Sequence, residues 1–360
     1  MAKEEFDKSK TMIFPREVAI GHEVLEKTAE LCDRLPVGNH PLVIYDPITK
    51  KIAGDKAIEI LDSNGYEVSR FQCERGAVMY EVKRAISYAK ECNSDFLMGV
   101  GGGSVIDVGK LAASRSNLPY ISVPTSASHD GIASPRASIK DKQGSKILQL
   151  SNESETPLAV LADTSVIYKA PYRMLASGCG DSISNLTAIK DWELGKKLKN
   201  EYLSSYAVAL AKTAAILIIE GADFIRPGLE ESAWIVTKAL IVSGVSMSVA
   251  RSSRPASGAE HMFSHMLDRL VPGKALHGEQ CGIGAIMMMY LHGGDWKMIR
   301  DTLRKIGAPT TAKEIGIPKR TIVEALMHAH EVRPERYTIL GNRGLTKEAA
   351  ENLATATGVI

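Results

Sequence analysis

The sequence predicts an α/β domain with a Rossmann-like parallel sheet, followed by an all-α domain. A chain of 360 residues is long enough to form two hydrophobic cores. Up to about residue 168, short apolar runs alternate with helical patterns, as in a parallel sheet with crossover helices. Beyond that point the apolar residues recur at helical spacing. We expect a dinucleotide-binding domain at 1–168, a metal- and substrate-binding domain at 169–360, and the active site in the cleft between them.

The individual elements follow from the same patterns. The polar segment 140–156 is either a hairpin or an exposed loop, because it contains Gly144 and few apolar residues. Helices are expected at 55–64, 78–92, 201–225 and 230–250. Strands are expected at 42–45, 66–71, 95–100, 120–124, 137–139 and 158–163.

Composition narrows the possible partners. Lys plus Arg (44) nearly balances Asp plus Glu (42), so the chain has no positive field for nucleic acid or an anionic membrane. The apolar stretch 207–219 is interrupted by Lys212 and is too short to span a bilayer, and the charged start does not resemble a secretion signal. The five cysteines contain no C-x-x-C pair, which argues against a disulfide framework. We expect a cytoplasmic protein with a small-molecule partner.

A glycine-rich turn is the sharpest local feature. An apolar strand leads into Gly99 and then Gly101–Gly103, and a helix follows directly. Glycines allow a ligand to approach the backbone, and the free N–H groups at a helix start attract phosphate oxygens. Ser104 adds a hydroxyl and Asp107 lies in the first helical turn. We expect this turn to bind a dinucleotide pyrophosphate, although the spacing is not a strict G-x-G-x-x-G and the turn follows what looks like the third strand. The alternative is a strand-to-helix turn that binds nothing.

Asp46 follows what looks like the first strand, where a carboxylate accepts hydrogen bonds from the adenosine ribose in dinucleotide-binding folds. A lone Asp before Pro47 is also a common turn residue. Lys50 and Lys51 lie close behind it and are able to accommodate a 2′-phosphate. The sequence therefore leaves NAD(H) and NADP(H) open.

A polar loop follows the strand that ends at Pro124. Loops beyond the carboxyl ends of parallel strands carry ligand contacts in this architecture. The alternative is an ordinary serine-rich surface loop. Its polar residues, which suit a cofactor ribose or a polyhydroxy substrate, are Thr125, Ser126, Ser128, His129, Asp130 and Ser134.

Three histidines and one aspartate in the helical half form a candidate metal site. His261 and His265 are four residues apart and so lie on one face of a helix, while His277 follows sixteen residues after His261. Asp181 lies at a predicted helix start, after two glycines. One carboxylate and two or three imidazoles hold zinc with a position open for a substrate oxygen. The alternative is that these histidines are solvated or bonded in place.

Five segments together resemble the archaeal glycerol-1-phosphate dehydrogenases, within the dehydroquinate synthase and iron-containing alcohol dehydrogenase superfamily. The resemblance runs from residue 15 to at least residue 284, and the helices beyond about residue 296 match loosely and carry no expected site. The segments are GVGGGSVIDVGK, PTSASHDGIASPRASI, GCGDSISNLTAIKDWELG, SGAEHMFSHMLD and LHGEQCGIG.

The resemblance implies a homodimeric or larger cytoplasmic enzyme that reduces glycerone phosphate with NADH or NADPH, for archaeal membrane lipids. It implies one zinc ion per subunit, held by Asp181, His261 and His277. Asp130 and His265 would be catalytic and would contact the substrate together with Asp181. The expected dinucleotide contacts, besides Asp46, are Gly102, Gly103, Ser104, Val105, Ile106, Asp107, Thr125, Ser126, Ala127, Ser128 and Ser134.

Several alternatives stay open at this stage. The same fold serves alcohol or glycerol dehydrogenases with unphosphorylated substrates, and the lyase dehydroquinate synthase. A dinucleotide sensor without chemistry is a third possibility, but such a protein has no need of a metal. Proton delivery to the substrate runs through a substrate hydroxyl, a water molecule or His265. The candidate cations for the substrate phosphate are Arg136, Lys190, Arg251 and Arg254.

Overall fold

The computed structural model describes residues 11–143 and 146–360, and the side chains of 141–153 are outside the description. Six parallel strands form one sheet in the order β1-β8-β5-β4-β2-β3, and β6 and β7 form an antiparallel hairpin. The strands are β1 (Glu17–Gly21), β2 (Pro41–Tyr45), β3 (Ser69–Gln72), β4 (Phe96–Gly101), β5 (Tyr120–Pro124), β6 (Arg136–Gln143), β7 (Lys146–Glu153) and β8 (Ala159–Asp163).

Helices cover both faces of the sheet and predominate in the second half of the described chain. The first six are α1 (Thr28–Arg34), α2 (Pro47–Thr49), α3 (Asp55–Ser63), α4 (Met79–Glu91), α5 (Gly103–Ser116) and α6 (Thr164–Ile167). The others are α7 (Tyr172–Lys199), α8 (Ser205–Gly221), α9 (Glu230–Ala250), α10 (Ala259–Leu270), α11 (His277–Leu291), α12 (Trp296–Ile306), α13 (Lys319–His328) and α14 (Lys347–Ala356). Short 3₁₀ segments lie at Val24–Lys27, Asp130–Ile132 and Ala329–Val332, and a π-helical segment at Lys50–Gly54 joins α2 to α3.

The central strands are buried on both faces, which explains their continuous apolar sequences. Alternate residues of one strand point into different cores. Val43 packs in the core that contains Ile58 of α3, whereas Leu42 packs with Val82 of α4 and Val108 of α5. The carboxyl ends of the strands therefore form one edge, from which the ligand-binding loops extend.

The predicted fold class is confirmed, with corrections to individual strands. The predicted strand 66–71 is shorter and begins at Ser69. The predicted strand 137–139 belongs to the β6–β7 hairpin outside the sheet, so the hairpin interpretation of 140–156 is correct. Strand β1 was not predicted, because it is a short edge strand whose residues are half-exposed rather than continuously buried. The glycine turn therefore follows the fourth strand instead of the third, and Asp46 follows the second.

The second half is helical, and the described residues form no strand after Asp163. The boundary predicted between residues 168 and 169 falls in the short link from α6 to α7 and stays a prediction. Helix α9 is long and apolar enough to cross a membrane by composition, but 67% of its apolar window is buried inside the protein. It is packed as a core helix, mainly against α8 and α7.

Candidate active site

Close packing of α7 against α11 positions the metal-site residues. A Cβ atom on Gly180 would lie 2.2 Å from the carbonyl oxygen of Gly278, and one on Gly278 would lie 1.9 Å from the carbonyl oxygen of Ser177. Only glycine fits at these positions, and the contact brings Asp181 beside His277. The prediction that Asp181 lies at a helix start is wrong, because it lies well inside α7. The glycines before it allow helix packing and do not form a turn.

The three predicted metal-binding side chains converge on one point. Asp181 Oδ1 lies 3.6 Å from His261 Nε2 and 3.6 Å from His277 Nε2. Ligands that are bound tetrahedrally to one zinc ion lie about 3.4 Å apart. Asp181 Oδ1 is buried and has no hydrogen-bond partner among the described residues. A buried carboxylate oxygen without a donor is costly, and a divalent cation would satisfy it, so these residues fit a metal ion.

A second layer of hydrogen bonds orients both imidazoles. His261 Nδ1 is 3.0 Å from Glu260 Oε1, and this buried carboxylate also accepts hydrogen bonds from the Gly258 N–H and the Thr187 hydroxyl. The Glu260 contact places the His261 proton on Nδ1 and leaves Nε2 free to bind a cation. These positioning groups lie on α10, α7 and the loop between α9 and α10.

His277 is held in the same way by a different chain of groups. Its Nδ1 lies 3.1 Å from the Ser264 hydroxyl, which itself donates to the Gln280 side-chain oxygen at 2.6 Å. The Ser264 oxygen therefore accepts from Nδ1–H, and Nε2 of His277 remains available. Gln280 continues the network to Asp268 at 3.0 Å.

Cys281 was missed at the sequence level. It lies one helical turn after His277, with Sγ 3.6 Å from His277 Nε2. One ligand atom from each of the four side chains, Asp181, His261, His277 and Cys281, lies within 4.8 Å of the others. The signal in the sequence that points to it is the H-x-x-x-C spacing from His277. All five cysteines are free thiols.

Opposite charges concentrate at this point. Burial alone would raise the pKa of Asp181, but the neighbouring imidazoles of His261 and His277 lower the pKa to about 2. Burial likewise opposes ionisation of Cys281, yet the charges of His261 and His277 lower the pKa of its thiol. A compact, buried set of potential anions and imidazoles is the environment that a divalent cation requires.

Asp130 and His265, the two predicted catalytic residues, lie beside this cluster. The Asp130 N–H donates to Asp181 Oδ2 at 2.8 Å, and the Asp130 carboxylate accepts from the Ser243 hydroxyl at 2.8 Å. The ring centroids of His265 and His277 are 5.9 Å apart. Burial, then the charges of His277 and Arg333, lower the pKa of His265 well below its usual value, so its imidazole is neutral. Their catalytic roles stay predictions.

The glycine turn faces the same cavity, and its glycines have two different roles. A Cβ atom on Gly99 would lie 2.2 Å from the Tyr120 hydroxyl, and one on Gly101 would lie 2.6 Å from Val105 Cβ, so both make room for neighbouring side chains. A Cβ on Gly102 would meet only the Ser126 hydroxyl at 3.6 Å, so this position is open to a ligand. Helix α5 begins at the next residue, where the first N–H groups have no carbonyl partner within the helix.

The predicted dinucleotide residues surround the turn at different depths. A cavity of about 360 Å³ is lined by four of them, and it is also lined by Asp130, His261, His265 and His277. These four are Gly103, Ser104, Asp107 and Ser134, and the buried Ser134 hydroxyl has no partner among the described residues.

The remaining predicted dinucleotide residues do not line this cavity. The side chains of Val105 and Ile106 are in the core, and Thr125, Ser126 and Ala127 are buried beneath the turn. The Ser128 carbonyl accepts from the Ser177 hydroxyl at 3.1 Å. Asp46 caps α2 by accepting hydrogen bonds from the Ile48 and Thr49 N–H groups. These contacts are those of a turn residue, which is the alternative that the sequence left open for Asp46. All of these dinucleotide contacts stay predictions.

His129, one of the loop residues that the sequence suggests for a cofactor ribose or a polyhydroxy substrate, lies between the glycine turn and the metal cluster. A Cβ atom on Gly103 would lie 2.0 Å from His129 Nε2, so the imidazole covers the start of α5. Its Nδ1 accepts from the Gly131 N–H at 3.0 Å, and its ring centroid is 6.5 Å from that of His277. A helix start with glycines and a cluster of potential metal ligands at one cavity are the parts that a metal- and nicotinamide-linked dehydrogenase requires.

Comparisons with known proteins agree with this class. Residues 19–171 match the family described as iron-containing alcohol dehydrogenase. Glycerol-1-phosphate dehydrogenase [NAD(P)+] from Methanosarcina acetivorans is 53% identical over 352 residues, which cover 98% of this chain and 97% of the relative. The Thermococcus sibiricus enzyme of the same name is 53% identical over 349 residues, covering 97% and 98%. The chain belongs to the glycerol-1-phosphate dehydrogenase family.

Solved structures show the same fold at low sequence identity. Glycerol dehydrogenase from Schizosaccharomyces pombe superposes with a TM-score of 0.79 at 21% identity, covering 98% of this chain and 92% of the other. A probable glycerol dehydrogenase from Sinorhizobium meliloti superposes with a TM-score of 0.78 at 20% identity, covering 97% and 98%. The similarity extends over the helical half as well as the sheet, which confirms the dehydroquinate synthase-like fold.

Proposed function

We propose that this protein reduces glycerone phosphate to sn-glycerol 1-phosphate with NADH or NADPH and a zinc ion, in the synthesis of archaeal membrane phospholipids. The observation that carries the proposal is that Asp181, His261 and His277 converge on one point, and that both histidines line the same cavity as the start of α5. The relatives at 53% identity carry the name of this activity and of NAD(P)+.

The two bound groups have complementary roles in such a reaction. A divalent metal polarises the substrate carbonyl as a Lewis acid, and the reduced nicotinamide supplies the hydride. We assign the metal as zinc because a carboxylate and two imidazoles are common zinc ligands in catalytic sites. The family description mentions iron, so the metal is one of the quantities to be measured.

The chain's own side chains orient the substrate and exclude water. We propose that Asp130 binds a substrate hydroxyl, since its carboxylate is fixed by Ser243 and lies beside Asp181. Neutral His265 contacts the reacting end of the substrate as a hydrogen-bonding partner, because its buried Nδ1 has no partner among the described residues. These groups hold the carbonyl in one orientation, which lowers the entropic part of the barrier.

The cellular setting follows from the same proposal. Five free thiols suit a reducing compartment, so we place the enzyme in the cytoplasm. We also propose a homodimer or larger homo-oligomer, as the family resemblance implies. The ligand is a small molecule, because the cavity is lined by residues of both halves of the chain and has the volume of a metabolite site.

A steady-state assay at the nicotinamide absorbance band tests the function. We expect oxidation of NADH or NADPH with glycerone phosphate, loss of activity after chelation, and recovery with Zn²⁺ but not with Mg²⁺. Equal kcat/KM values for glycerone phosphate and unphosphorylated glycerone would instead favour a glycerol dehydrogenase, the activity named in the two structural neighbours. Retention of full activity without metal would contradict the proposed chemistry.

A further inference from the structure

The C-terminal part of the chain contributes a cation to the cavity. Arg333 follows the 3₁₀ segment Ala329–Val332 and lines the same cavity as the metal cluster. No site was expected beyond about residue 296, but the cavity wall includes Arg333. The loose sequence match in this region concealed it, because loop residues are identified as cavity-lining only through tertiary packing.

Two arginines are joined here through one serine. Arg333 donates to the Ser253 hydroxyl at 3.1 Å, and Arg336 donates to the same hydroxyl at 2.9 Å and to the Ser257 carbonyl at 2.6 Å. Within the described residues, neither guanidinium forms an ion pair with a carboxylate. Arg254, by contrast, is buried in an ion pair with Glu201.

The arginine pair concentrates positive charge at one end of the cavity. Burial, and then the charges of Arg333 and Arg254, lower the pKa of Arg336 to about 9. Burial and then the charge of Arg136 lower the pKa of Arg333. Like charges that are partly removed from water repel one another, and an anion bound between them would offset that cost.

We propose that Arg333, positioned by Ser253 and backed by Arg336, binds the phosphate group of the substrate. The inference rests on the proposed function and adds the residue that selects a phosphorylated substrate. Arginine suits this task because its planar guanidinium offers two parallel donors to phosphate oxygens. His261 and His277 of the metal cluster line the same cavity as Arg333, so a three-carbon substrate would present its carbonyl to the cluster and its phosphate to Arg333.

The four cations considered from the sequence differ in position. Arg136 lines the cavity and is part of the same charged end. Arg254 is occupied by Glu201, and neither Lys190 nor Arg251 lines the cavity. Arg333 was not one of these four cations. It lines the cavity, donates a hydrogen bond to the Ser253 hydroxyl, and has no carboxylate partner among the described residues.

The first test compares two substrates in Arg333→Gln and Arg333→Lys. We expect Arg333→Gln to lower kcat/KM for glycerone phosphate roughly 10- to 100-fold, mainly through KM, because a charge-assisted hydrogen bond is lost. The value for unphosphorylated glycerone should change less than about twofold, and Arg333→Lys should recover part of the loss. Arg269→Gln is the matched control. Like Arg333, Arg269 carries a charge that lowers the pKa of His265, but Arg269 is exposed and does not line the cavity.

Equal losses with both substrates, or no loss with either, would overturn the assignment of Arg333. A second measurement separates this inference from the proposed function. We would titrate inorganic phosphate calorimetrically into the zinc-loaded protein. The protein would be saturated with NAD+, so that the dinucleotide already occupies the glycine turn and phosphate cannot bind there. Phosphate binding by the wild type that is lost in Arg333→Gln supports the anion site even if glycerone phosphate is not reduced. Equal binding by both proteins, or none by the wild type, overturns it.

Discussion

The glycine turn and the metal cluster face each other across one cavity, but they are built differently. The turn is contiguous in the chain, from the end of β4 into the first turn of α5. The cluster takes Asp181 from α7, His261 from α10 and His277 from α11. A local feature depends mainly on backbone conformation, whereas a cluster drawn from three helices depends on how closely those helices pack. Damage to the two regions should therefore have separable effects.

The largest expected effect is on the metal cluster itself. His261→Ala removes a ligand whose orientation Glu260 fixes, so we expect loss of bound zinc and a fall in kcat of roughly a thousandfold or more. Metal content by mass spectrometry and turnover should fall together, while NAD+ binding measured calorimetrically should persist.

His265→Ala is the companion variant. His265 is not one of the four side chains whose potential ligand atoms lie together. We therefore expect the variant to retain zinc while its turnover falls roughly 100-fold or more. A metal-free His265→Ala protein would contradict the division between ligand and substrate contact.

Gly180→Ala should damage the cluster through packing alone. The added methyl group would lie 2.2 Å from the Gly278 carbonyl oxygen, and the forced separation of α7 and α11 should cost about 1–3 kcal/mol. We expect a lower melting temperature and weaker zinc affinity in the same variant. An unchanged melting temperature would mean that the helices do not need this contact.

Gly102→Ala applies the same substitution to the other region. The methyl group meets only the Ser126 hydroxyl at an ordinary distance, so the melting temperature and zinc content should change little. It projects into the space proposed for the dinucleotide, and we expect KM for NAD(P)H to rise about tenfold, which corresponds to ~1.4 kcal/mol. A normal KM would argue against pyrophosphate binding at this turn.

The smallest expected effect is at Cys281. A catalytic metal site keeps one position for the substrate, so we expect the thiol to lie near the ion without being a required ligand. Cys281→Ser should therefore keep its metal and most of its activity, and the cobalt-substituted wild type should lack a thiolate charge-transfer band. A strong band that disappears in Cys281→Ser would show that the site is closed by a fourth protein ligand.

The contrast also explains what the sequence could predict. Strands β2, β4, β5 and β8 were predicted because burial on both faces gives continuous apolar runs. Edge strand β1 lacks that signal. The metal residues were found by residue type, but the position of Asp181 within α7 was not, because glycines that permit helix packing resemble glycines in a turn.

The residues missed in the site share one property. Cys281 joins the metal-binding cluster, and Arg333 joins the cavity wall, only through the packing of α10, α11 and the segment after Ala329–Val332. Arg333 belongs to no motif that local chemistry would identify, and only the H-x-x-x-C spacing after His277 points to Cys281. The glycine turn, by contrast, is a contiguous motif. Long-range packing therefore determines which of many ordinary polar residues face the ligand.

The central claim is that Asp181, His261 and His277 bind one divalent ion at the cavity shared with the glycine turn. Anomalous diffraction at the zinc edge, on zinc-loaded crystals with bound NAD+, tests it most directly. The account predicts one strong peak about 2.0 to 2.2 Å from an atom of each of the three side chains, facing the nicotinamide. A peak elsewhere, or an ion held by other residues and remote from the nucleotide, would contradict it.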